Sequence, residues 1–216
     1  MSFDDAALHW DTPERIERAN KLAASILHAI GDAPKDTALE FGCGTGLLSF
    51  ALREHFQRID CVDASEGMLY VLRQKTETAG ASNIVASDSG LLAQKEYAGA
   101  FDVIYSSMVF HHITDVEAQL RTLSPLLKPN GLLITIDLDK EDGSFHRAEP
   151  DFTGITDLTE RRLPDGCRVA AFPTCSLKRH MRVRKATSPI PCFYAGGGNN
   201  KTSREPCSRI GKVPFR

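Results

Sequence analysis

The chain has 216 residues, enough for one domain with a substantial core, and its composition is that of an ordinary globular fold, 42% hydrophobic and 25% charged. Its net charge of −2 is unevenly divided: residues 1–150 carry 13 Lys+Arg against 23 Asp+Glu, whereas residues 151–216 carry 13 against 5. No apolar run approaches the roughly 18 residues of a membrane span, and MSFDDAALHW lacks the basic-then-apolar order of a secretory signal, so a cytoplasmic location is expected.

Asp11-Thr12-Pro13 opens a helix: Asp11 or Thr12 can cap it, Pro13 suits its first turn, and Gly31 ends it. Ile16, Ala19, Ala23, Ile26 and Ile30 lie at helical spacing between, so residues 1–34 read as a covering helix. A short strand, Ala38–Phe41, then breaks at Gly42-Cys43-Gly44-Thr45-Gly46 and resumes as a helix at Leu47. A strand that feeds a helix through alternating glycines brings bare backbone N–H groups close to a ligand. The second strand, Arg58–Asp63, ends in an acid, and a helix from Ser65 to Thr78 follows with Met68, Leu69 and Leu72 on one side. Asn83–Asp88 is a third strand. Phe101–Ser106 is a fourth, followed by Ser107-Met108-Val109-Phe110-His111-His112-Ile113. Asp115 is expected to cap a helix carrying Val116, Leu120, Leu123 and Leu127. Pro129-Asn130-Gly131 reads as a turn before the fifth strand, Leu132–Ile136, which closes with Asp137 and Asp139.

Strands alternating with helices predict an α/β fold: a Rossmann-like, doubly wound, mostly parallel sheet with helices on both faces. Ligands of such sheets sit beyond the carboxyl ends of the strands, at the topological switch point. The glycine loop, Asp63, Asp88 and Ser106 all fall at those ends. A dinucleotide would want Gly-x-Gly-x-x-Gly, but Leu47 stands at the last position, and Glu40 would set a negative charge beside a pyrophosphate. The same acid suits a cationic ligand with a free ammonium group. An NAD-dependent oxidoreductase of Rossmann type is therefore the weaker enzyme reading. The six cysteines include no C-x-x-C pair, so neither a disulfide framework nor a metal site is expected. Cys43 and Cys61 read as buried thiols.

LEFGCGTG, CVDAS-x-GM, ASD, FDVIYSSMVFHHI and LLKPNGLLITIDLD together resemble the class I S-adenosylmethionine-dependent methyltransferases. They are most similar to the small-molecule branch that includes the ubiquinone and menaquinone biosynthesis enzymes (methyltransferase types 11 and 12). The resemblance covers about residues 35–140, within a core of 35–150. It implies S-adenosyl-L-methionine as cofactor and a small-molecule methyl acceptor rather than nucleic acid, and no membrane span is expected from the apolar runs. It places Glu40 and the backbone of Gly42, Cys43, Gly44 and Gly46 against the methionyl and ribose parts. It sets Asp63 on the ribose hydroxyls, a task that suits a carboxylate. Ala64 and Met68 would lie along the adenine, Asp88 would accept from its amino group, and Ser106 with Ser107 would line the methionyl side. Methyl transfer from a sulfonium needs in-line positioning and exclusion of water, and a base only where the nucleophile holds its proton. His111 and His112 are the catalytic candidates because they follow the fourth strand, where an acceptor would approach.

After about Glu149 the sequence departs from that resemblance. The family's sheet ordinarily gains two more strands, the last antiparallel, and residues 151–216 read instead as an irregular basic tail. A basic tail is also the footprint of a non-enzymatic nucleotide- or RNA-binding module. Read one base out of register, the codons of residues 166–180 and 188–194 permit segments that resemble the family's sixth and last strands. A shift of reading frame near residues 145–155 is the expected cause. Such an end would leave the fifth strand with an exposed edge and the chain impaired as an enzyme.

Overall fold

The structure, a computed structural model, describes residues 2–31 and 36–137, together with the backbone of Val169–Ala171. Expectations that fall on the rest of residues 138–216, the frame change among them, lie outside the described residues.

A short helix α1 (Phe3–Ala6) and a 3₁₀ turn precede α2 (Pro13–Ile30). The sheet is then built by β1 (Thr37–Phe41), β2 (Arg58–Asp63), β3 (Ile84–Asp88), β4 (Phe101–Ser107) and β5 (Leu127–Ile136). The intervening helices are α3 (Leu47–Leu52), α4 (Glu66–Ala79) and α5 (Val116–Leu123). β6 (Val169–Ala171) completes the order β3-β2-β1-β4-β5-β6, and every pairing is parallel. The strand order therefore reverses between β1 and β4, which defines the switch point.

Side-chain alternation sorts the core into two layers. Ala38, Ile59, Cys61, Val103 and Tyr105 pack with α2, α3 and α4 on one face. Leu39, Val62, Ile104 and Leu133 pack with α5 on the other. Thr12 and Asp115, two of the expected caps, each accept an N–H of the first turn of α2 and α5, and Ser65 does the same at the start of α4.

Three expectations are corrected. Leu127 is the first residue of β5 and not part of the preceding helix. α5 stops at Leu123, and Pro125, which has no N–H to donate, starts a 3₁₀ turn over Ser124–Leu126. The Pro129-Asn130-Gly131 turn does not precede the fifth strand but is a bulge within it. Leu127 faces Phe101 while Leu132 already faces Val103, and Asn130 takes φ +65°. The outer edge of β5 is not bare: Leu133, Ile134 and Thr135 pair with Val169, Ala170 and Ala171.

Candidate functional site

The glycine loop joins β1 to α3 at the switch point. Gly42, Gly44 and Gly46 all hold left-handed backbone, with φ +73°, +54° and +77°, a conformation that costs an L-residue roughly 1–2 kcal/mol. The N–H groups of Gly42 and Cys43 both donate to the Val62 carbonyl, at 2.8 and 3.0 Å, so the loop is tied to the end of β2. A Cβ on Gly42 would collide with the Val109 side chain, and one on Gly46 with Leu72. At Gly44 it would find ordinary contact distances, 3.7 Å to Trp10 Nε1 and 4.0 Å to Met68 Sδ. A side chain at Gly42 would thus have to displace Val109 and one at Gly46 the tip of Leu72, whereas Gly44 faces Trp10 and Met68 with room to spare.

Asp63, at the end of β2, is joined directly to this loop. Its Oδ2 accepts from the Gly44 N–H at 2.7 Å, and its Oδ1 accepts from the Ser65 N–H at 2.9 Å. Each oxygen keeps lone-pair capacity for a further donor. Ala64 beside it is exposed, and Met68 is buried on the first turns of α4. Asp88 is the register neighbour of Asp63 on β3, and its Oδ1 accepts from the Gly90 N–H at 2.7 Å, capping the following turn. Ser106 lies at the end of β4 and is 1% exposed. Its hydroxyl donates to the Phe41 carbonyl at 2.7 Å, bracing β4 against the end of β1 across the switch point. Cys43 is buried, and burial pushes its thiol up, so its sulfur is inert packing beside Cys61.

Glu40 differs from its expected state. Its carboxylate is not a standing negative charge at the mouth but is 3% exposed, beneath the loop, where it accepts from the Ser49 hydroxyl of α3. Ser49 also lies 2.9 Å from the Tyr105 hydroxyl and 3.1 Å from Cys61 Sγ. Burial pushes the Glu40 carboxyl up to about 8, the Ser49 hydrogen bond opposes this, and the Asp63 charge adds to it. In the unfolded chain the group ionises near its ordinary value of 4.5. Its contribution to stability is therefore full below that value and is lost as pH rises toward 8. Between pH 5.5 and 7.5 the chain is expected to lose about 2–3 kcal/mol more unfolding free energy than Glu40→Gln does, at about 1.4 kcal/mol per pH unit. Urea unfolding of both proteins at the two pH values checks this, and parallel slopes would contradict it.

The two histidines separate. His111 is 1% exposed, and its Nδ1 lies 2.5 Å from Asp137 Oδ1. His112 is exposed, with its ring centroid 4.0 Å from that of His111 and edge-on to Phe3 at 5.5 Å. Only His112 therefore presents its ring to solvent.

The residues not foreseen come mostly from the N-terminal segment. Asp4 Oδ1 accepts from Ser65 Oγ at 2.6 Å and from the Gly67 N–H at 2.8 Å, at the start of α4. Phe3 and Trp10 meet edge to face at 5.8 Å. Asp11 does not cap α2: it accepts from Thr45 Oγ1 of the glycine loop and pairs with Lys75 Nζ at 2.6 Å. A local signal existed for α1, where Ser2 and Asp5 form a capping box. Nothing local showed that Asp4 and Asp11 reach residues far along the chain.

A parallel sheet with its switch point at a left-handed glycine loop and an acid on the neighbouring strand end defines a nucleoside-binding α/β protein. Comparison with known proteins narrows this. Residues 39–133 match the family model of a methyltransferase domain. An uncharacterized methyltransferase of Bacillus pumilus is 31% identical over 152 residues, covering 69% of this chain and 68% of the relative. The ubiquinone biosynthesis O-methyltransferase of Caulobacter vibrioides is 33% identical over 141 residues, covering 62% and 55%. The crystal structure of a SAM-dependent methyltransferase from Aquifex aeolicus superposes with a TM-score of 0.55 at 22% identity, over 64% of this chain and 74% of that one. The chain belongs to the S-adenosylmethionine-dependent methyltransferase family. It spans about half the length of curated relatives such as the Caulobacter enzyme. Neither the oxidoreductase nor the RNA-binding reading finds a counterpart among these relatives. Among the described residues, no helix is long and apolar enough to cross a membrane, and no cluster of His, Cys, Asp and Glu could hold a metal ion.

Proposed function

We propose that the chain is a cytoplasmic S-adenosylmethionine-dependent methyltransferase acting on a small-molecule acceptor by in-line displacement. The observation that carries this is the direct hydrogen bond from Gly44 to Asp63, which sets a carboxylate against the bare backbone of Gly44. That donor and acceptor set fits the cofactor. Asp63 takes the ribose hydroxyls, and Gly42, Cys43, Gly44 and Gly46 let the backbone approach. Ala64, Met68 and Asp88 lie on the adenine side. Glu40 would be the acid on the ammonium side of the cofactor. The bound cofactor supplies a methyl group already activated by its sulfonium.

The chain's own share is positional. Ser106 holds the end of β4 to β1, so the turn over 107–112 keeps its place beside the glycine loop. His112 meets the acceptor and orients it or receives its proton. Val109, seated on Gly42, closes the gap between the two loops against water. The names of relatives such as the Caulobacter O-methyltransferase favour oxygen acceptors.

The test is transfer of label from methyl-labelled S-adenosylmethionine to a panel holding a catechol, a fatty-acyl carboxylate, a primary amine and a mixed RNA. Label in a small molecule is expected. Label confined to RNA or to protein would overturn the acceptor class.

A further inference from the structure

We propose that Asp137 is a positioning residue of the acceptor side, acting through His111 to hold His112 and the turn after β4. This rests on the reading that the turn over 107–112 faces the acceptor.

Asp137 follows β5 directly and sits beside the end of β4, where Ser107 faces Ile136. Its side chain is 6% exposed, and three groups of one turn converge on it. Oδ2 accepts from the Val109 N–H at 3.0 Å and from the Phe110 N–H at 2.7 Å, while Oδ1 faces His111 Nδ1 at 2.5 Å. A carboxylate taking two backbone N–H groups and an imidazole is a strong local tether. It holds a turn that is under strain: Met108 takes φ +59°, and its N–H donates to the Ile136 carbonyl at 2.8 Å. Backbone of that kind in a non-glycine residue persists only where its surroundings over-determine it. On its other side the same turn is fixed by Val109 against Gly42. The turn is thus clamped between the glycine loop and the end of β5.

The carboxylate also decides the histidine's tautomer. An acceptor facing Nδ1 keeps the proton on that nitrogen. His111 is buried and serves as the spacer; its ring lies against His112, which Phe3 flanks on the other side. The chain of contacts runs Asp137, His111, His112. Neither of the first two touches the acceptor.

The test compares the full chain with Asp137→Asn by long-range ¹H–¹⁵N spectra of the histidine rings, with S-adenosylhomocysteine titrated into both. In the wild type, His111 is expected as the Nδ1–H tautomer, and His112 is expected to carry ring-current shifts from His111 and Phe3. In Asp137→Asn, the amide donates to Nδ1, the tautomer changes to Nε2–H, and the His112 shifts collapse. The S-adenosylhomocysteine titration reports separately whether the change reaches the glycine loop, which the turn touches through Val109 and Gly42. An Nε2–H tautomer in the wild type, or unchanged His112 signals in the variant, would overturn the proposal. If the variant fails to fold, the wild-type tautomer decides alone. Absence of S-adenosylhomocysteine binding by the wild type would count against the methyltransferase reading and leave the tautomer result standing by itself.

Discussion

Asp63→Asn is expected to weaken S-adenosylhomocysteine binding about 100-fold while the protein stays folded. The carboxylate now accepts from Gly44 and Ser65, one N–H on each oxygen. It would offer its remaining lone pairs to the two ribose hydroxyls. Hydrogen bonds to a charged group are worth roughly 1.5–3 kcal/mol each, or about 10- to 150-fold in affinity. An asparagine supplies one oxygen and one NH₂. Whichever way it turns, one amide N–H faces a backbone N–H, and one ribose hydroxyl loses its charged acceptor. The fold pays about 1 kcal/mol for the mismatch, a fall of roughly 2–4 °C in Tm for a chain of this size. Calorimetric titration beside thermal unfolding separates the two effects. A variant that binds as the wild type does would remove Asp63 from the site.

Gly42→Ala has the opposite signature, because it attacks the fold. The residue would have to keep φ +73° with a Cβ, and that Cβ would enter the space of the Val109 side chain. The backbone term is about 1–2 kcal/mol and overpacking adds about 1–3 kcal/mol. A fall in Tm of about 6–15 °C is expected. Gly44→Ala pays only the backbone term, since its Cβ would stand 3.7 Å from the nearest side-chain atom. A thermal scan of the two variants checks the ordering. Equal losses, or a larger loss at Gly44, would contradict the packing account.

The legibility of this fold and site followed the range of the interactions. Thr12 and Asp115 could be read as caps because a cap acts within three residues. The strands could be read because each is a short apolar run between helical segments, the mark of a parallel sheet buried on both faces. The glycine loop was legible because three left-handed positions in alternation leave glycine as the economical choice. Leu127 was misplaced because its spacing continues the periodicity of α5, and only Pro125 signals the stop. The Lys128-Pro129-Asn130-Gly131 bulge has the composition of a turn, and composition does not say whether the strand resumes in the same pairing.

The protonation of Glu40 was not legible for a related reason. An acid at a strand end reads as a charge, but burial raises its carboxyl, and the Ser49 hydroxyl, nine residues on, only partly opposes this. Likewise, His111 and His112 are equivalent neighbours in sequence. Their difference comes from Asp137, which is 26 residues away from His111. Asp4 and Asp11 act over more than thirty residues, on Ser65, Gly67 and Thr45, so neither periodicity nor motif could report them.

The left-handed glycine loop and Asp63 are proposed as the site that takes S-adenosylmethionine. Isothermal titration of S-adenosylhomocysteine into the full chain, with NAD titrated in parallel, tests it most directly. Saturable one-to-one binding of S-adenosylhomocysteine is expected, with no heat of binding from NAD. Binding of NAD, or no binding of S-adenosylhomocysteine by the folded chain, would contradict it.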